Sequence, residues 1–161
     1  MKLKIEIKNR WTGNVLFEFE KENNSLKDTL QEAVRQKADL RGAYLSDVNN
    51  IPFIPMACPS DGAFIGWKKV GDCLIELEIP AEARRSSATT SKCRCDKAKV
   101  ISITNGEESF MKVTNRKYGH DTIYRVGEMV YPDSFDDNRW NECSHGIHFF
   151  INKQEAIDYE V

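Results

Sequence analysis

An α+β fold, mostly antiparallel sheet with two or three helices, is the architecture this sequence predicts. Three observations carry the expectation. Apolar and polar residues alternate in short runs, most plainly at Leu3-Lys4-Ile5-Glu6-Ile7 and Ile75-Glu76-Leu77-Glu78-Ile79, which is the period of a strand with one buried face. Turn signals containing Gly or Asn separate these runs at short spacing, and short turns join neighbours antiparallel. Helical spacing is confined to the stretch after Ser25 and the stretch after Asn152.

In chain order, Leu3, Ile5 and Ile7 alternate with Lys2, Lys4, Glu6 and Lys8, and Val15, Phe17 and Phe19 alternate with Leu16, Glu18 and Glu20. The turn between them contains Gly13 and predicts a β-hairpin. Ser25 followed by Asp28 is a capping-box pattern. Leu26, Leu30, Ala33 and Val34 then place an apolar stripe on a helix running to Gln36, which covers the hairpin. Asn49 to Pro55 holds two prolines, each restricting the residue before it, and reads as an extended connector. The expected organisation is therefore a hairpin–helix unit over residues 1–50 and a larger α+β domain over 51–161.

In the second part, Phe64 to Lys68 and Ile75 to Ile79 are strands around the Gly71-Asp72 turn, the second stopped by Pro80. Arg85 to Ser91 is a Ser/Thr-rich loop. Cys93 to Ile103 resumes strand character, and Asn105-Gly106 turns the chain. Phe110 to Val113 and Ile123 to Val126 are further strands. Pro132 to Asn141 is an irregular acidic loop. Ile147 to Ile151 is the last strand, and Asn152 with Glu155 caps a last helix.

Composition excludes several classes. With 161 residues, 40% hydrophobic and 30% charged, the chain buries roughly 70% of its unfolded surface and needs no disulfide staple. A net charge of -2 argues against extended nucleic-acid binding. No run of 18 apolar residues exists, so no membrane span is expected. The N-terminus lacks the apolar core of a signal peptide. The expectation is an intracellular protein with reduced thiols, which the odd count of five cysteines supports.

Three constellations carry candidate chemistry. Cys93, Cys95, Cys143 and His145 are zinc-type ligands, but one residue between Cys93 and Cys95 is poor knuckle spacing. The alternative is that both thiols share a strand face and pack as small hydrophobes. The second is the segment bearing Arg84, Arg85, Ser86, Ser87, Thr89, Thr90, Ser91, Lys92 and Arg94, whose guanidinium forks and hydroxyls suit a phosphate or ribose. A merely solvated loop would look the same. The third is the set Trp67, Tyr124, Trp140, His145, His148, Phe149 and Phe150. On a strand, His148 and Phe150 share one face, and Ile147, Phe149 and Ile151 share the other. With the Ile/Phe face as core, His148 turns to a cleft, where a neutral imidazole acts as base or hydrogen-bond partner. No nucleophile with an informatively spaced base stands out, and His120-Asp121 is too generic to use.

Residues 38–47, Ala38-Asp39-Leu40-Arg41-Gly42 and Ala43-Tyr44-Leu45-Ser46-Asp47, resemble two pentapeptide-repeat units. Two units cannot close one turn of a β-helix, so the segment reads as a vestige or linker. Cys58 to Lys68, Ile79 to Thr89, Lys92 to Cys95, Tyr124 to Glu128 and Trp140 to Phe150 resemble an uncharacterised bacteriophage domain often carried behind pentapeptide repeats. The leader from Ile5 to Leu40 is similar to that of the same proteins. This implies a viral accessory protein in the cytoplasm of a host bacterial cell. Gly146-Ile147-His148-Phe149, followed by a helix ending at Asp158-Tyr159, also resembles a strand–helix element of ADP-ribosyltransferases. On that likeness His148 takes an aromatic place lining an NAD pocket, and Arg94 or Arg125 meets phosphate.

The expected function is a binding module for a nucleotide-like ligand or a host defence protein, with Arg84, Arg85, Ser86, Ser87, Arg94, Arg125, Trp67, Trp140, His145 and His148 as the ligand-binding set and no resident cofactor. An NAD-using transferase and a self-associating structural protein, a homo-oligomer, are the alternatives. The binding reading requires the arginine-bearing segment and the terminal histidine strand to be neighbours around one hollow.

Overall fold

The computed structural model describes residues 1–45, 54–116 and 121–159. The connector residues 49–53, the end of the pentapeptide-like segment at Ser46-Asp47, and His120 lie outside the described residues. The chain divides into two compact units, Met1–Pro55 and Met56–Val161.

In the first unit, strands β1 (Lys2–Lys8) and β2 (Val15–Glu22) form the antiparallel hairpin, with Ile5 opposite Phe19 and Ile7 opposite Phe17. Helix α1 (Leu26–Arg35) starts at Ser25, whose hydroxyl accepts from the Asp28 amide at 3.1 Å. The Asp28 carboxylate accepts from the Ser25 amide at 3.2 Å, completing a capping box of the kind worth about 1 kcal/mol. Leu30 and Ala33 of α1 are buried. The pentapeptide-like segment is more than a tether. Asn9 and Ala43 form an antiparallel bridge, the Arg10 amide donates to Gly42 O, and Leu40, Ala43 and Leu45 are buried. Gly42 sits at φ +75°, and a Cβ there would lie 2.5 Å from Trp11 Cζ3, so only glycine fits against that indole.

The second unit is built on a seven-stranded sheet. Its strands are β3 (Phe64–Val70), β4 (Cys73–Ile79), β5 (Arg85–Ser87), β6 (Lys92–Cys95), β7 (Ala98–Thr104), β10 (Met129–Val130) and β11 (Ile147–Phe150), in the order β10-β7-β4-β3-β11-β6-β5. All of its neighbours pair antiparallel. Strands β8 (Lys112–Asn115) and β9 (Thr122–Arg125) form a separate hairpin. The fold is thus α+β and mostly antiparallel, with two helices among the described residues.

Two details differ from the sequence reading. Arg85 to Ser87 is a strand inside the expected loop, and Cys93 to Ile103 is two strands, broken between Cys95 and Ala98. Neither Arg85-Ser86-Ser87 nor Lys92-Cys93-Arg94-Cys95 shows the β-branched alternation that marks a strand; pairing with each other and with β11 makes them strands.

One face of the sheet carries the main core: Ile75, Leu77 and Ile79 of β4, Val100 of β7, Cys93 and Cys95 of β6, and Ile147 and Phe149 of β11, with Tyr124 of β9 packed on it. A Cβ at Gly66 would meet the Phe149 ring at 2.6 Å, so glycine there makes room for a core aromatic. The opposite face carries a smaller cluster. Helix α2 (Lys153–Asp158), capped by the Asn152 side chain, sets Ala156 and the following Tyr159 against Leu74, Phe150 and Trp67.

Candidate functional site

The site follows from the position of β11. All four β11 residues pair with β6, placing His148 opposite Arg94 and Phe150 opposite Lys92. With β3, only Phe150 and Trp67 are in register. Beyond that pair the two strands part, and Lys68 Nζ reaches across to donate to His148 O at 3.3 Å. A cleft of about 940 Å³ opens there, within the range of small-molecule sites. Its walls include Lys68 and Lys69 of β3, Lys92 of β6, Tyr124, Asp133, Cys143 to His148, Phe150 and Tyr159.

The arginine-bearing segment and the histidine strand are therefore adjacent, but the segment contributes Lys92 to the hollow, and its arginines point elsewhere. Of the ten residues singled out for ligand binding, His145 and His148 line the cleft and the other eight do not. Arg94 is 2% exposed. Its guanidinium donates to Asp136 O at 3.0 Å, His145 O at 2.6 Å and Asn138 O at 3.1 Å. Arg84 and Arg94 both stack on Phe135, at 4.9 and 5.5 Å from the ring centroid. Arg84 also pairs with Asp96 and Asp137. These contacts fix the acidic loop onto β6.

Arg85 donates to Gly62 O, Pro80 O, Ala81 O and Ala83 O at 2.7–3.1 Å and lies over Phe64. Ser86 and Ser87 are buried, and the Ser87 hydroxyl accepts from the Ala57 amide at 2.7 Å. Arg125 pairs with Glu128 at 3.7 Å. Trp67 packs beneath α2 with Lys153 over its ring, and Arg139 covers the Trp140 ring.

The Ser/Thr segment does bind an anion, and that anion belongs to the chain. Glu142 is 3% exposed, and its Oε1 accepts from the amides of Thr89 and Thr90 at 3.0 and 2.9 Å. Sequence reasoning missed this residue.

The four zinc-type candidates do not converge. Among the described residues no group of three His, Cys, Asp or Glu side chains could hold a metal. Cys93 and Cys95 lie in the core with Cys58, where burial pushes the Cys95 thiol up to about 12. Cys143 is exposed in the cleft wall.

Within the cleft, Lys92 Nζ lies 3.6 Å from Cys143 Sγ and 3.5 Å from Tyr159 Oη. It also sits 5.6 Å from the centroid of the Tyr159 ring. Burial works against its charge, Cys143 and Tyr159 favour it, and the net shift of its pKa is upward. Lys69 Nζ donates to Ile157 O at 2.6 Å. Neither Lys69 nor Lys92 forms an ion pair with a carboxylate among the described residues. His148 is held neutral: burial, then the positive charges of Lys92, Lys68 and Arg94, lower its pKa to about 3, against a contrary bond to the Ser144 backbone. Its Nε2 is buried without a hydrogen-bond partner among the described residues. His145 is anchored at the rim, its Nδ1 3.1 Å from Asp133 Oδ2.

Lys69 and Tyr159 were also missed. The available signal was two successive lysines just ahead of the Gly71-Asp72 turn, at the end of a strand.

The fold and site together define an α+β domain with a lysine-lined cleft. Residues 54–156 match DUF5758, a family of unknown function. That match spans more than half of the chain, which belongs to this family. No curated protein and no solved structure matches it. Among the described residues no helix is long and apolar enough to cross a membrane.

Proposed function

We propose that this protein is a binding module whose cleft takes a nucleotide-like anionic ligand. The observation that supports the reading most directly is Lys92. Its ammonium is half buried at the cleft wall and faces a thiol and a phenol, with no carboxylate paired to it among the described residues. An incoming anion gives this partly desolvated ammonium a charged hydrogen-bond partner, and charge-assisted hydrogen bonds are the stronger kind. Lys68 and Lys69 add positive charge on the facing wall, and the half-buried Tyr159 offers a ring against which a base can lie. On this reading the anion meets lysines as point charges, not arginine forks.

The sequence resemblance to bacteriophage proteins sets this activity in an infected bacterial cell, where capture of a host nucleotide would serve the virus as an accessory function. The test is titration of the full chain with inorganic phosphate, nucleoside mono-, di- and triphosphates and cyclic nucleotides, followed by calorimetry and thermal melting. A ligand at a hundredfold its Kd stabilises the folded state by about 2.7 kcal/mol, and Lys92→Met should remove that gain. If none of these compounds binds or shifts the melt, the reading is wrong.

A further inference from the structure

Lys69 and Lys92, the cleft lysines with no carboxylate paired to them among the described residues, also hold the C-terminal helix. Lys69 donates to Ile157 O in the last turn of α2, and Lys92 reaches the hydroxyl of Tyr159, the residue at which that helix ends. An ammonium has three N–H donors. The Ile157 contact uses one donor of Lys69, and the sulfur and phenol oxygen around Lys92 take up two of its three. The helix therefore restrains these flexible side chains without exhausting them.

We infer that docking of α2 positions Lys69 and Lys92 for the anion, so that helix docking and anion binding reinforce each other. Tyr159 is a positioning residue on this account: it holds the Lys92 ammonium from one side while the cleft stays open on the other. The inference rests on the anion reading above and adds the sign of a coupling to it. A restrained lysine loses less side-chain freedom on binding than a mobile one. By linkage, an anion that favours the docked helix must be bound more tightly by the docked helix, and to the same extent. The small apolar cluster of Leu74, Phe150, Ala156, Trp67 and Tyr159 makes the docked position specific.

The experiment uses the full chain with inorganic phosphate and pyrophosphate as probes. It measures Kd by calorimetry and amide hydrogen exchange over residues 153–159. In the wild type, saturating probe should slow exchange in this segment. Tyr159→Phe keeps the ring and its packing but removes the hydroxyl, and should weaken binding roughly two- to tenfold. Lys69→Met, which loses both the helix contact and a charge, should weaken binding further and leave the 153–159 amides less protected even without probe. Tight probe binding with unchanged exchange, and an unchanged Kd in Tyr159→Phe, overturns the coupling while leaving the anion reading in place. Faster exchange on binding overturns it by reversing its sign. If neither probe binds, the anion reading and this inference fall together.

Discussion

The arginine-bearing segment from Arg84 to Cys95 and the lysine-lined cleft beside it share a strand, yet they do opposite things with charge. In the segment every arginine has an internal destination. Arg94 serves three carbonyls, Arg85 five, and Arg84 two carboxylates. Even the Thr89 and Thr90 amides are filled, by Glu142. In the cleft, the contacts of Lys69 and Lys92 among the described residues are to a carbonyl, a thiol and a phenol. The lesson is that an anion site is marked by charge left unbalanced after folding, and the density of cations along the sequence is a poor guide to it.

The largest expected effect separates the two regions by stability. Arg94→Met strips a buried guanidinium from the carbonyls of Asp136, Asn138 and His145 and should destabilise by about 3–5 kcal/mol, the range for breaking a buried charged network. Chemical denaturation of the variant checks this. A small loss of stability joined to a large loss of anion affinity would put Arg94 in the cleft's chemistry and break the comparison.

A second effect comes from His148, which lies between the two regions and feels the cations of both. Its folded pKa of about 3 lies below the ~6.5 of an unfolded-chain imidazole. Between these values the unfolded chain binds a proton that the native state refuses. Stability contributed by this group is therefore level above pH ~6.5 and falls as pH drops toward 3, by roughly 2 kcal/mol at pH 5. His148→Phe, which also deletes the orphaned Nε2, should be flatter between pH 6.5 and 5 in parallel denaturation curves. Equal slopes for variant and wild type would mean that His148 is not held neutral.

Glu142→Gln comes next. The amide keeps an oxygen for Thr89 and Thr90 but loses the charge, and hydrogen bonds to charged groups are worth about 1.5–3 kcal/mol against about 1 for neutral ones. A loss of about 1 kcal/mol by denaturation is expected, with the anion affinity of the cleft unchanged. If Glu142→Gln creates a new anion site at those amides, the segment's capacity for anions was masked only by its own carboxylate.

How far all this was legible depends on range along the chain. The hairpin and α1 could be read because their signals are local: Leu3, Ile5 and Ile7 alternate, and Ser25 and Asp28 are three residues apart. The faces of β11 followed from its period of two, so that Ile147 and Phe149 enter the core and His148 lines the cleft. Strand β5 escaped notice because Ser86 and Ser87 lie buried in a pairing made by β6, not by their own propensity. The lysine-bearing walls of the cleft escaped because they depend on strand order. The last strand enters between β3 and β6, and nothing near Lys69, Lys92 or Tyr159 announces that they will meet. Arginine clusters read as ligand sites for the same reason: sequence displays the donors and hides their distant carbonyl acceptors.

The finest form of the comparison sets Lys92→Met beside Arg84→Met. Arg84 is 55% exposed at its side chain and pairs with Asp96 and Asp137, and solvent-screened pairs of this kind add little to stability. Lys92→Met exchanges a half-buried ammonium for an apolar chain of similar length over the Tyr159 ring and should also shift stability by about 0.5 kcal/mol or less. The two variants should therefore melt alike and bind differently. Arg84→Met should keep its affinity for phosphate or pyrophosphate, and Lys92→Met should lose about tenfold or more, equivalent to about 1.4 kcal/mol. Because stability is matched, calorimetric titration of the pair isolates unbalanced charge as the cause. Equal affinities in the two variants would show that charge count, and not the absence of an internal partner, sets where an anion goes.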